Sequence, residues 1–241
     1  MAHFCYSFSI SMDRLGEKIN SLRVDLNWQR YWLLIPIVFS AVCFSTMNHN
    51  IFSGAFFTQI ELKYGLNRID DFHKWQSIIE KGAEFSDSER LHLVNQFANR
   101  HINFVSDIEH WNKNDYWGTP IESLGTKGGD CEDFAIFKYF TLKAMGVSEE
   151  KMRLMYVRAL LIDQPHMVLI YFDNPKAMPL VLDNLTTSIK KSNQRTDLKP
   201  IYSFNSQGLW LTKARGLGSN RPVSTGSKSW TDLVNRIENG E

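Results

Sequence analysis

The stretch from Gly128 to Met145 constrains this chain more than any other. A glycine pair leads into Cys131, which sits among Asp130, Glu132 and Asp133, and an apolar run without helix breakers follows. Cys131, Phe134, Ala135, Leu142 and Met145 share one helical face, while Ile136, Phe137 and Phe140 occupy others. A helix apolar on nearly all sides must be buried, so the fold has to wrap around it. Gly146 is a natural C′ residue. Cys131 falls in the first turn, where free backbone N–H groups and the positive dipole end favour thiolate over thiol. This reads as a catalytic nucleophile.

The rest of the chain bounds what that helix can serve. Lys and Arg number 27 against 26 Asp and Glu, so neither a nucleic-acid-binding stripe nor an acidic disordered tract is indicated. At 43% hydrophobic and 13% aromatic, the chain has the apolar content for a real core. Cys5 and Cys43 precede the expected domain, which leaves Cys131 alone within it. A single Cys with distant His and Asp is a nucleophile pattern rather than a disulfide framework.

Three regions are expected: residues 1–50 as a signal or anchor region, 51–212 as the folded domain, and 213–241 as a flexible tail. Tyr31 to Met47 is apolar and uncharged, and Arg14, Lys18, Arg23 and Arg30 precede it. Pro36 in mid-run argues against a buried core helix. This predicts export or membrane insertion, with everything after about residue 50 translocated and any membrane contact made through this segment. Small residues follow, but no clean cleavage motif does, so an uncleaved anchor stays open.

Within the domain, residues 51–66 read as a transition. Ile69 to Ile79 has helical spacing. Ser86 and Glu89 form a capping box for a second helix ending near Asn103. Trp111 to Gly129 reads as a polar aromatic loop walling a site or holding an ion. After Gly146 the period changes to that of strands: 153–158, 166–171, 180–184, 201–204 and 208–211. Short links predict antiparallel pairing. In the tail, Trp230 to Ile237 has the pattern of a short helix. The fold class is therefore α+β, with N-terminal helices and a buried Cys-bearing helix packed on an antiparallel sheet.

His166 begins one strand and Asp183 ends the next. Antiparallel neighbours would bring the two to one sheet edge, facing the start of the Cys131 helix. In that layout Cys131 attacks a carbonyl, His166 holds the proton, and Asp183 fixes the imidazole tautomer. The Cys131 backbone N–H, with a loop donor such as the Trp117 indole, would stabilise the oxyanion. Zinc fits poorly, because no CxxC or HxxxH spacing is present. The flanking acids oppose a thiolate. Either they cap the helix, or Asp130, Glu132 and Asp133, with Asp115 or Asn112, hold a hard cation such as calcium through oxygen ligands.

Gly129-Asp130-Cys131-Glu132-Asp133-Phe134-Ala135, preceded by Trp117-Gly118-Thr119-Pro120-Ile121-Glu122 and followed by His166-Met167-Val168-Leu169 and Leu182-Asp183-Asn184, resembles the bacterial transglutaminase-like cysteine proteinases. More narrowly, it is similar to the LapG-type periplasmic adhesin proteases. The likeness runs from about Phe72 to Leu211. It implies a papain-like/transglutaminase-like fold and a Cys131–His166–Asp183 triad. It also implies calcium-dependent proteolysis in the periplasm, with acids beside the Cys among the ligands. The implied substrate is the N-terminal region of a large surface adhesin, cut at a di-alanine site to disperse biofilm. The implied partner is a LapD-type inner-membrane receptor that senses cyclic di-GMP. A transglutaminase acyl transferase and a non-catalytic peptide-binding module are the alternatives.

Overall fold

The computed structural model describes residues 52–211 and 228–240. The apolar segment 31–47, Cys5 and Cys43 lie outside the described residues. Among those described, no helix is long and apolar enough to cross a membrane.

Three helices open the domain: α1 (Gly54–Tyr64), α2 (Ile69–Gly82) and α3 (Asp87–His101). The stretch read as a transition is thus largely helical, because Ser53 caps it by accepting from the Phe56 N–H at 3.2 Å. The Ser86–Glu89 capping box is present. Strand β1 (Asn103–Phe104), α4 (Asp107–Trp111), α5 (Pro120–Thr126) and β2 (Gly128–Gly129) follow. The expected 111–129 loop is therefore interrupted. Thr119 and Glu122 cap each other reciprocally around Pro120 at N1, which is enough for a seven-residue helix. Parallel pairing of β1 with β2 pins the glycine pair before Cys131.

The Cys-bearing helix is α6 (Cys131–Ala144), and Gly146 behind it takes φ 88°. One side packs Ala135, Ile136, Tyr139 and Leu142 against Leu154, Met167, Leu169 and Phe204 of the sheet. The other packs Phe134 and Phe137 against Phe72, Trp75, Phe97 and Leu124 of the helical layer. This double burial is the reason its apolar residues surround it. Trp75 Nε1 donates to Thr141 Oγ1 at 3.0 Å, which satisfies two polar groups inside that contact.

The sheet comprises β3 (Met152–Ala159), β4 (Gln164–Tyr171), β5 (Leu180–Leu182), β6 (Lys190–Lys191), β7 (Leu198–Asn205) and β8 (Gly208–Leu211). Among the described residues these six form one antiparallel sheet in the order β6-β5-β4-β3-β7-β8. From β6 to β7 the chain must pass β5, β4 and β3, so residues 192–197 cross a sheet face. Below them lies a second apolar cluster that includes Val157, Val168, Ile170 and Val181. Burial on both faces explains why β4 reads as continuously apolar after His166.

Of the expected tail, residues 228–240 are described, and they hold the short helix expected over Trp230 to Ile237. Helix α7 (Lys228–Glu238) forms, and its Trp230 and Leu233 are buried in the main core. Trp230 stacks on Phe140 at 5.6 Å and meets Tyr139 edge-on at 5.4 Å. Two apolar anchors one turn apart outweigh the polar composition around them.

Phe137 tests the central contact, since it is fully buried and stacks on Phe97 at 5.9 Å. Phe137→Ala is expected to cost about 3–5 kcal/mol in urea unfolding, through lost burial plus a cavity.

Candidate active site

Antiparallel pairing of β4 with β5, Leu169 opposite Leu182, brings His166 and Asp183 together. His166 Nε2 and Asp183 Oδ1 are 2.7 Å apart, and both side chains are buried. When Nε2 carries the proton toward the carboxylate, Nδ1 is left as the acceptor of a neutral imidazole. Asp183 Oδ1 also accepts from the Leu185 N–H at 3.1 Å, and Oδ2 accepts from Arg195 Nη2 at 2.6 Å. Burial alone would raise the Asp183 pKa. The hydrogen bonds and charges of His166 and Arg195 outweigh it and hold the group at about 2.

Cys131 is the first residue of α6, half-buried, with its thiol 3.1 Å from Glu132 Oε2. Burial pushes the thiol pKa up, and the charges of Glu132 and Asp130 push it further. The backbone N–H of Met167, next in chain to His166, acts to lower it. The Trp117 indole, expected at the oxyanion, instead donates to Asp115 Oδ1 at 3.0 Å. A carboxylate two residues away captures the ring N–H.

The acids around Cys131 gather as Asp107, Asp115, Asp130, Glu132 and Asp133, in groups whose ligand atoms lie within 4.8 Å of one another. Burial first, then the negative charge of its neighbours, lifts Asp130 to about 8 and Asp107 to about 6. Asp133 is raised well above the carboxylate range for the same reasons. Its two oxygens already accept backbone N–H groups, Gly118 at 2.7 Å and Asp130 at 3.2 Å. Asp107 Oδ1 and Asp130 Oδ1 are buried without a hydrogen-bond donor among the described residues. Oxygen atoms without donors beside further carboxylates fit a hard cation.

The structure places Cys131, His166 and Asp183 on α6, β4 and the end of β5, and groups Asp115, Asp130, Glu132 and Asp133 in the acid cluster. Two residues were not anticipated. Asp107 opens α4 after Ser106, in a first turn that gives acids an ordinary helical reason to be there. Arg195 is 3% exposed, and its role depends on the crossing between β6 and β7, which leaves no local pattern. Lys138 is a further buried charge. Its Nζ has no hydrogen-bond partner among the described residues, and burial lowers it to about 7 against the opposing charge of Asp183.

A cysteine at the start of a buried helix, beside two paired strands that bring a His and an Asp together, is the layout of a transglutaminase-like cysteine protease. The sequence profile of the bacterial transglutaminase-like cysteine proteinases matches residues 74–211, and the chain belongs to that family. Among solved structures, it is similar to calcium-bound LapG of Legionella pneumophila. The two are 38% identical with a TM-score of 0.66, over 77% of this chain and 99% of that one. EGTA-treated LapG of the same organism is 36% identical, with a TM-score of 0.66 over 76% and 96%. No curated protein sequence matches the chain. The fold is the transglutaminase-like α+β fold of LapG, and the protein is a LapG-like cysteine protease.

Two measurements follow from this geometry. The folded pKa of Asp183 lies below the unfolded value, so its contribution, about 2 kcal/mol, is complete above about pH 4 and fades as pH falls toward 2. Asp183→Asn is expected to flatten that part of the stability–pH curve in chemical denaturation. At Gly129, an added Cβ would lie 2.6 Å from Asp133 Cβ. Gly129→Ala is therefore expected to displace the Asp133 carboxylate and lower the melting temperature, whereas Gly54→Ala, with open space around it, is not.

Proposed function

We propose that this protein is a calcium-dependent periplasmic endopeptidase that cuts the N-terminal region of a large surface adhesin, with Cys131, His166 and Asp183 as its triad. The 2.7 Å His166–Asp183 contact, on a strand that packs against the Cys131 helix, carries the reading. Cys131 gives its proton to His166 Nδ1 and attacks the scissile carbonyl carbon. The protonated imidazole then donates to the leaving amine as the C–N bond breaks, which leaves a thioester. His166 next takes a proton from water, the hydroxide adds to the thioester carbon, and the carboxylate product leaves with the thiol restored. Asp183 holds the imidazole through Nε2 in both half-reactions. The backbone N–H of Cys131 faces the developing oxyanion.

Asp107, Asp115, Asp130 and Glu132 would hold the calcium ion, with Asp133 fixing the helix start beside it. The donor-free oxygens of Asp107 and Asp130 support this, as do the calcium-bound and EGTA-treated forms of the similar LapG. Bound calcium would supply the positive charge that offsets the acids flanking the thiol. Export rests on the apolar segment 31–47 with basic residues before it. The LapG likeness extends the proposal to release of adhesin from the cell surface and to sequestration by a LapD-type cyclic di-GMP receptor.

Incubation with an adhesin N-terminal fragment bearing a di-alanine site, followed by mass spectrometry, tests the reaction. Hydrolysed ends are expected, and isopeptide cross-links would replace protease by transglutaminase. Cys131→Ala should abolish cleavage and leave the fold intact by circular dichroism. Chelation by EGTA should stop cleavage, and added calcium should restore it. In chelator, the folded protein keeps protons on Asp107 and Asp130 that the unfolded chain has lost. Thermal stability should therefore fall as pH rises from about 4 to about 8, and calcium should reverse the trend.

A further inference from the structure

Three consecutive residues of the loop before α5 each donate to a different acid of the cluster. The Tyr116 N–H donates to Asp107 Oδ2 at 2.5 Å, Trp117 Nε1 to Asp115 Oδ1 at 3.0 Å, and the Gly118 N–H to Asp133 Oδ1 at 2.7 Å. These donors sort the carboxylate oxygens into two sets. Those they occupy are structural. Asp107 Oδ1 and Asp130 Oδ1 are left facing inward with no donor among the described residues. The loop thus decides which oxygens a cation can use.

Locally the loop is held through Tyr116, whose hydroxyl donates to Glu122 Oε1 at 2.9 Å and whose ring centre lies 4.8 Å from that of Trp111 and 3.8 Å from Lys113 Nζ. It enters through Asn112 in the left-handed region at φ 53°, and its residues are polar or aromatic. A further grip, on the same Tyr116 hydroxyl and Glu122 carboxylate, comes from the far end of the chain. Arg236 of α7 donates through Nη1 to Tyr116 Oη at 2.7 Å and to Glu122 Oε2 at 2.9 Å, and through Nη2 to the Trp117 carbonyl. The guanidinium also lies 4.7 Å from the centre of the Tyr116 ring. Glu122 in turn accepts from the Thr119 N–H at 2.8 Å, so the same carboxylate ties α7 to the start of α5. Trp230 and Leu233 fix α7 in the core and give Arg236 a rigid base.

We infer that α7 is part of the cation site, with Arg236 as the residue that helps position the Tyr116–Gly118 donors and so presents Asp107 to the ion beside Asp130. This rests on the calcium reading above. A planar fork with several donors suits the role, because it holds a side chain, a carbonyl and a carboxylate in one geometry. Residues that orient a ligand set from outside it commonly control metal affinity by about 10- to 100-fold.

The test is calcium titration of the full chain by isothermal calorimetry, with the melting temperature of the calcium-free form read in parallel. Arg236→Gln is expected to weaken calcium binding about tenfold or more. Arg236→Lys, which keeps charge and reach but not the fork, should fall between Gln and wild type. It carries the comparison if the Gln variant does not fold. Wild-type affinity in both variants, with only the calcium-free melting temperature lowered, would make Arg236 a plain structural tie and overturn the inference. If wild type itself binds no calcium, the calcium reading fails and this inference falls with it.

Discussion

The Asp133 carboxylate is the fastening on which the site depends. It is 1% exposed and accepts backbone N–H groups from two places in the chain, Gly118 in the loop before α5 and Asp130 at the helix start. A buried carboxylate with both oxygens occupied fixes geometry more tightly than a neutral cap would. It also explains two glycines. A Cβ at Gly118 would lie 3.1 Å from Asp133 Oδ1, and one at Gly129 would lie 2.6 Å from its Oδ2. The backbone at Gly129 leaves no room for a side chain, and at Gly118 one would fit only if the Asp133 carboxylate gave way by a few tenths of an ångström. The glycine approach to Cys131 is therefore a consequence of where Asp133 sits.

Around this point the molecule separates two tasks that sequence places in a single helical turn. On one side is the nucleophile, against the β4 backbone at Met167. On the other are the acids, drawn toward Asp107 and Asp115. Glu132 belongs to both, since its carboxylate is 3.1 Å from the thiol and also groups with Asp107 and Asp115. Charge in the cluster therefore acts on the thiol at contact range, where little solvent screens it.

How much of this was legible follows from the range of each interaction. Local signals were clear. The apolar run of α6, the Ser86–Glu89 box and the strand period after Gly146 all report on neighbouring residues, and the antiparallel order places His166 by Asp183. Signals that depend on topology were silent. Arg195 reaches Asp183 only because the chain crosses a sheet face between β6 and β7. Asp107 joins the acids through parallel pairing of two very short strands. Some local signals were present but overruled. Thr119-Pro120-Ile121-Glu122 is a capping box inside a stretch dominated by turn formers. Trp230 and Leu233 anchor a tail whose composition suggests mobility.

The crossing between β6 and β7 bears on how the chain matures. Asp183 gains its second partner only when residues 192–197 lie over the sheet and Leu198 has docked at its far side. The Arg195–Asp183 pair is itself short-range, but the crossing that seats Arg195 leads into the long-range pairing of β7 with β3, Leu154 opposite Phe204, and loop closure makes such pairing costly to form early. A chain that has formed its helices and the β3–β4 hairpin already holds Cys131 and His166, yet its aspartate is not locked in place. The completed dyad thus reports that the sheet is finished. A nascent or partly unfolded copy would carry Cys131, the proposed nucleophile, before the His166–Asp183 pair is locked.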